Sequence, residues 1–154
     1  MAHTFVIFGA SGDLTHRKLI PALYRLFLKG RLPAGARIVG FSRTEFTHDE
    51  WRANLAETTA KQTGEDFAAD RWSKFAENIF YHAGDIGEGG DFASLAQFLA
   101  GLEGAGGGTR VYYLATAPKF YEPAIEQLGR SGLAEESNGR RRVIIVSRIL
   151  WPTS

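Results

Sequence analysis

Thr4-Phe5-Val6-Ile7-Phe8-Gly9-Ala10-Ser11-Gly12-Asp13-Leu14 opens on an apolar run that stops at a glycine and continues into small and polar residues. A short run without polar alternation reads as a strand buried on both faces. Just downstream, Leu19, Leu23, Leu26 and Phe27 recur at helical spacing, and Gly30 supplies a stop. Pro21 either kinks that helix or marks where its regular part begins. Gly9 to Leu14 therefore lies where a strand hands over to a helix. Small residues there let the backbone approach a pyrophosphate, and the N–H groups of the first helical turn favour its charge. The plain G-x-G-x-x-G template is met incompletely, since Ser11 and Leu14 stand where its second and third glycines belong. On spacing alone an ordinary glycine turn stays open as the alternative; the place directly after an apolar strand favours the dinucleotide reading.

Working outward, strands and helices alternate. Arg37 to Ser42 is a second strand, and Thr47 to about Lys61 a helix opened by the capping box Thr47-His48-Asp49-Glu50. Trp72, Phe75, Ala76 and Ile79 mark a further apolar stripe, and Tyr81 to Asp85 a short third strand. Leu95, Phe98, Leu99 and Leu102 form a helical face, ended by the glycine cluster Gly104 to Gly108. Arg110 to Ala115 is the fourth strand, Pro118 to about Gly132 a helix with Tyr121, Ile125 and Leu128 on one face, and Arg142 to Val146 the fifth strand. This order predicts an α/β protein: one three-layer domain, Rossmann-like, with a doubly wound parallel sheet.

The end of the second strand bears on the choice of cofactor. An acidic residue there suits the ribose 2′-hydroxyl of NAD, and an arginine suits the 2′-phosphate of NADP. The chain has Ser42-Arg43-Thr44, so NADP is expected, with Glu45 leaving room for NAD. Arg43 would act through a charge-assisted fork; as an isolated residue it reads equally as a solvated surface arginine.

Composition narrows the remaining classes. The 154 residues carry a net charge of +1, which gives no electrostatic case for nucleic acid or an anionic membrane as partner. No cysteine is present, so disulfides and thiol catalysis are excluded, and a reducing, cytoplasmic setting is expected. The apolar runs fall far short of a membrane span, and Phe5 to Phe8 is too short for a signal-peptide core. His3, His16, His48 and His82 are scattered without metal-ligand spacing, so no metal site is expected.

Extended, the opening motif becomes specific. Phe8-Gly9-Ala10-Ser11-Gly12-Asp13-Leu14-Thr15-His16-Arg17-Lys18-Leu19-Ile20-Pro21-Ala22-Leu23 resembles the start of glucose-6-phosphate dehydrogenases. Ile38 to Arg43, Gly84-Asp85 and Tyr112 to Ala115 agree with that family in order and spacing. The resemblance implies that Gly9, Ala10, Ser11, Gly12, Asp13 and Leu14 form the cofactor loop, with Ser11 and Arg43 near the 2′-phosphate. It also implies that Asp85, Ile86 and Tyr113 line the adenine and ribose side, and that Lys18 reaches the sugar-phosphate substrate. Spacing alone leaves Lys18 equally readable as a helix-surface lysine. Thr116-Ala117-Pro118 departs from the Pro-Pro common in the family after Tyr-Leu-Ala.

After Val146 the resemblance stops, and Ser147-Arg148-Ile149-Leu150-Trp151-Pro152 replaces the family's Glu-Lys-Pro-Phe-Gly. The expected organisation is a dinucleotide-binding domain over residues 1–146 and a divergent tail over 147–154, without the family's catalytic second domain. No catalytic base is assigned. Binding without independent turnover is the expectation, with a non-enzymatic NADP module or an inactive remnant of a truncated gene as the alternative. Apolar surface left uncovered, together with Ile149, Leu150 and Trp151, favours self-association. Short-chain dehydrogenases also favour Gly-Ala-Ser-Gly loops but need Tyr-x-x-x-Lys, and no tyrosine here has a lysine four residues on.

Overall fold

The computed structural model describes residues 2–137 and 139–145. Five parallel strands, β1 (Ala2–Phe8), β2 (Arg37–Ser42), β3 (Ile79–Ala83), β4 (Gly108–Leu114) and β5 (Arg141–Ile145), form one sheet in the order β3-β2-β1-β4-β5. Between them run α1 (Ile20–Leu28), α2 (His48–Thr63), α3 (Ala69–Ala76), α4 (Gly89–Glu103) and α5 (Tyr121–Arg130). The chain winds outward from β1 through β2 to β3, then returns to the other side of β1 for β4 and β5. That reversal leaves a crevice at the carboxyl ends of β1 and β4.

β1 sits at the centre because it can be covered on both faces. Val6, Ile7 and Phe8 are at most 2% exposed. Side chains alternate across a strand, so Val6 and Phe8 join Phe92, Leu95 and Leu99 of α4 and Ala124 and Leu128 of α5. Ile7 faces the opposite layer, where Ile20 and Tyr24 of α1, Trp51 and Leu55 of α2, and Trp72 and Phe75 of α3 close the second core. Each such side chain contributes about 1.5–3 kcal/mol on burial, which holds β1 firmly between the two layers.

α2 carries the expected capping box: Glu50 N–H donates to Thr47 Oγ1, and Thr47 N–H to Glu50 Oε1, at 3.0 and 2.8 Å. Pro21 is accommodated rather than disruptive. It lies in the first turn of α1, and Thr15–Leu19 ahead of it forms a π-turn in which Ile20 N–H reaches back to Thr15 C=O. The wider turn absorbs the register change beside a residue that has no N–H of its own.

Four expectations are corrected. Leu26 is 40% and Ile125 45% exposed, because Ile20 and Tyr24 in α1, and Ala124 and Leu128 in α5, take the sheet-facing positions. Ile79 belongs to β3, not to the preceding helix, which ends at Ala76. β3 also ends before Gly84-Asp85. Asp85 N–H donates to Asp91 Oδ2, and Asp85 Oδ1 accepts from Gly87 N–H, so side chains turn the backbone out of the ladder. Val146 and the tail 147–154 lie outside the described residues.

Candidate functional site

The crevice is a cleft of about 610 Å³, and every wall comes from the carboxyl end of a strand. Gly9, Ser11 and Gly12 follow β1; Phe41, Ser42, Arg43 and Thr44 close β2; Gly84, Asp85 and Ile86 follow β3; Ala115, Thr116, Ala117 and Phe120 follow β4. A volume in the range of about 300–1,000 Å³ accommodates a small-molecule ligand.

Its floor requires glycine. Gly9 has φ +90°, and a Cβ there would lie 2.5 Å from the Ala115 carbonyl oxygen. The turns after β1 and β4 thus meet backbone to backbone. Gly9 N–H donates to Phe41 C=O at 3.0 Å, Gly12 N–H to Gly9 C=O at 2.9 Å, and Thr15 Oγ1 to Gly9 C=O at 3.0 Å. Helical structure begins at Asp13, so the first turn, whose N–H groups lack intrahelical partners, opens beside Ser11 and Gly12. His16 Nδ1 lies 3.0 Å from Gly12 C=O and steadies this turn.

The far wall turns on Arg43, which is exposed, lines the cleft and enters no ion pair among the described residues. Behind it stands Tyr81, 4% exposed, whose hydroxyl contacts the Ser42 hydroxyl and the Thr44 carbonyl. Burial pushes the Tyr81 phenol up, the Ser42 hydrogen bond partly opposes this, and Glu45 adds to it.

Of the residues the sequence singles out, the structure brings Gly9, Ser11, Gly12, Arg43, Asp85 and Ile86 together on the cleft. Ala10 is fully buried, its methyl group facing Gly40 and Trp51 rather than the cleft. Asp13 is exposed and pairs with Arg17 at 2.9 Å, and Leu14 is half-buried; neither lines the cleft. Lys18 is exposed on the π-turn, away from these walls. Tyr113 packs with the α1–α3 layer, where burial first and Tyr121 second push its phenol up. Thr44, Thr116, Ala117 and Phe120 were not singled out as ligand-facing. The carboxyl-end position was a usable signal for the first three, and Phe120 has none.

A glycine floor, a helix start, a strand-end arginine and a cleft at the switch point define a dinucleotide-binding α/β domain. Residues 6–146 match the family model of the glucose-6-phosphate dehydrogenase NAD-binding domain. The chain is 37% identical over 142 residues to glucose-6-phosphate 1-dehydrogenase of Aggregatibacter actinomycetemcomitans, covering 91% of this chain and 28% of that protein. It superposes on glucose-6-phosphate 1-dehydrogenase of Mycobacterium avium with a TM-score of 0.79 at 28% identity, over 94% of this chain and 29% of that one. A glucose-6-phosphate dehydrogenase in complex with glucose 6-phosphate gives a TM-score of 0.80 at 25% identity, over 92% and 29% of the respective chains. The chain belongs to the glucose-6-phosphate dehydrogenase family, as its nicotinamide-dinucleotide-binding domain. It spans just over a quarter of the length of the curated relatives it matches.

Proposed function

We propose that this chain is the NADP-binding part of a glucose-6-phosphate dehydrogenase and that these 154 residues bind cofactor without turning over substrate by themselves. The observation that carries the cofactor choice is Arg43, a cation on the cleft wall between Ser42 and Thr44 that enters no ion pair among the described residues. A guanidinium exposed on the cleft wall suits a ribose phosphate better than a free ribose hydroxyl. Gly9 and Gly12 would admit the pyrophosphate to the backbone, the helix start after Ser11 would face its charge, and Asp85 and Ile86 would border the adenosine side. When bound, the nicotinamide supplies a hydride acceptor. Lys18 would reach the sugar phosphate in the setting of the longer relatives.

The lack of turnover rests on the cleft's own chemistry. Oxidising a sugar hydroxyl needs a base beside the reacting carbon. Asp85 is the one carboxylate among the described lining residues, and it is held in the turn after β3 by Gly87 N–H at Oδ1, with no second group among them placed beside it to form an acid–base pair. Among the described residues no helix is long and apolar enough to cross a membrane. The cysteine-free composition supports assignment to a reducing cytoplasm. Val143, Ile144 and Ile145, each more than 40% exposed on β5, favour self-association of the chain on its own.

Calorimetric titration of the chain with NADP and with NAD tests the reading. Tighter NADP binding is expected, together with no NADPH formation when glucose 6-phosphate is added. Equal affinities would remove the role given to Arg43, and steady NADPH production would remove the binding-only assignment.

A further inference from the structure

Among the described strands β3 is an edge, paired with β2, and side chains meet two of the backbone groups on its free side. Tyr81 N–H donates to His48 Nδ1 at 2.8 Å, and Arg52 Nε donates to Ile79 C=O at 2.8 Å. His48 and Arg52 lie one turn apart on α2, so the helix stands in for a neighbouring strand. On the inner side, the Tyr81 ring is wedged against Phe46 and Trp51, each with ring centroids 5.3 Å away. Its hydroxyl has a single proton. Donated to the Thr44 carbonyl, it leaves the oxygen to accept from Ser42 Oγ. Those two bonds grip the residues on either side of Arg43.

We propose that Tyr81 is a positioning residue for the cofactor cleft: His48 holds its backbone from outside the sheet, and its hydroxyl holds the Ser42–Thr44 turn, so that Arg43 is presented at a set position. The proposal rests on the reading of Arg43 as the phosphate-selecting residue. Tyr81 touches no ligand-facing surface itself; it acts through the turn.

The outer half of this clamp is sensitive to protons. Nδ1 accepts from Tyr81 N–H only while it carries no hydrogen of its own, so protonation of His48 sets two N–H groups against each other. Burial first, and then the Arg52 guanidinium, hold the His48 imidazole below its usual range, while Asp49 pulls the other way. His82 of β3 stands across Phe98 from it; burial lowers His82 too, Asp91 of α4 opposing and His48 reinforcing. Because the folded value is depressed, the unfolded chain binds the extra proton more readily. The clamp is therefore intact above the ordinary histidine range and is lost as pH falls through the folded value.

The test compares the full chain with Tyr81→Phe and His48→Asn, titrating NADP and NAD at about pH 7.5 and about pH 5.5. Tyr81→Phe keeps the ring and loses the grip, so the NADP-to-NAD affinity ratio is expected to fall about five- to tenfold at the higher pH. Asn places an amide oxygen near the Nδ1 position and does not titrate. Protonation of the 2′-phosphate, with a second pKa of about 6, weakens NADP at low pH in every variant. The wild type is expected to lose several-fold more affinity than His48→Asn over the same interval. Exchange of the Tyr81 amide hydrogen, measured without cofactor, should likewise accelerate on acidification in the wild type beyond its intrinsic change, and not in His48→Asn. An unchanged affinity ratio in folded Tyr81→Phe, or an identical pH response in the wild type and His48→Asn, overturns the proposal. Failure of the wild type to prefer NADP overturns the Arg43 reading instead, while amide exchange still decides whether the clamp exists.

Discussion

The two ends of the sheet are built on opposite principles. At the carboxyl ends, polar groups face solvent: Arg43 is exposed and enters no ion pair among the described residues, and Asp13 and Arg17 form an ion pair whose side chains are 77% and 64% exposed. At the amino ends, Glu103 and Arg110 form an ion pair at 2.6 Å with side chains 1% and 9% exposed. Thr4 Oγ1 donates to the same carboxylate, and Arg110 Nη1 donates to Tyr112 Oη, which donates in turn to Leu133 C=O at 2.6 Å. This network ties β1, β4, the end of α4 and the segment after α5 together, with its polar groups satisfied. One end leaves its charges exposed, and the other uses them to hold protein to protein. Exposed and buried ion pairs are thereby separated along the strands.

Substitutions at the two ends should part accordingly. The largest effect is expected for Arg110→Met, which strands Glu103 as a buried charge and should cost about 3–5 kcal/mol of stability in urea denaturation. Cofactor affinity of the folded fraction should stay unchanged; a parallel loss of affinity would mean the two ends are coupled. The same pair sets an acid limit. Burial alone would raise the Glu103 pKa, but hydrogen bonds and charge from Arg110, with Thr4 and Arg141 assisting, hold it below the usual carboxylate range. Its contribution is thus present above the unfolded value of about 4.3 and is lost as pH falls through the lower folded value. Acid titration of stability should show this slope in the wild type, and Glu103→Gln should flatten it.

At the other end, Gly9→Ala should cost about 1–3 kcal/mol, since it combines a left-handed backbone with a clash against the Ala115 carbonyl. It should also abolish measurable cofactor binding, and retained binding would show that the floor can shift. Arg43→Ala should leave thermal stability unchanged and weaken NADP by about 1–3 kcal/mol, with little effect on NAD. Asp13→Asn should be the mildest, within about 1 kcal/mol in thermal unfolding, as an exposed pair deserves. A larger loss would mean that Asp13 supports the helix start more than its exposure suggests.

The functional end was more legible in the sequence than the structural one, because its signals are local. Apolar strand, glycine, helix and strand-end arginine follow one another within 43 residues and need no long-range knowledge. What stayed hidden depends on parity and distance. Tyr112 and Tyr113 are neighbours in an unbroken apolar run, and nothing in that run says which faces which layer; Tyr112 joins the α4–α5 core and Tyr113 the other. Ala10 lies inside the loop motif but is spent on packing against Gly40 and Trp51, a contact that exists only once β2 and α2 are in place. Thr116 and Phe120 reach the cleft because β4 pairs with β1, more than 100 residues away in sequence. The Glu103–Arg110 pair carried no motif at all.

The π-turn at Thr15–Leu19 works as a phase adjuster. It holds one residue more than an α-helical turn, which rotates everything after it by about 100° relative to everything before it. With that offset, Ile20 and Tyr24 meet the sheet while Ser11 and Gly12 stay on the cleft. Removing one residue from the turn would do little to the helix as a helix. It would swing the ligand-facing loop out of step with the core beneath it, so the loop's length and its aim are one and the same property.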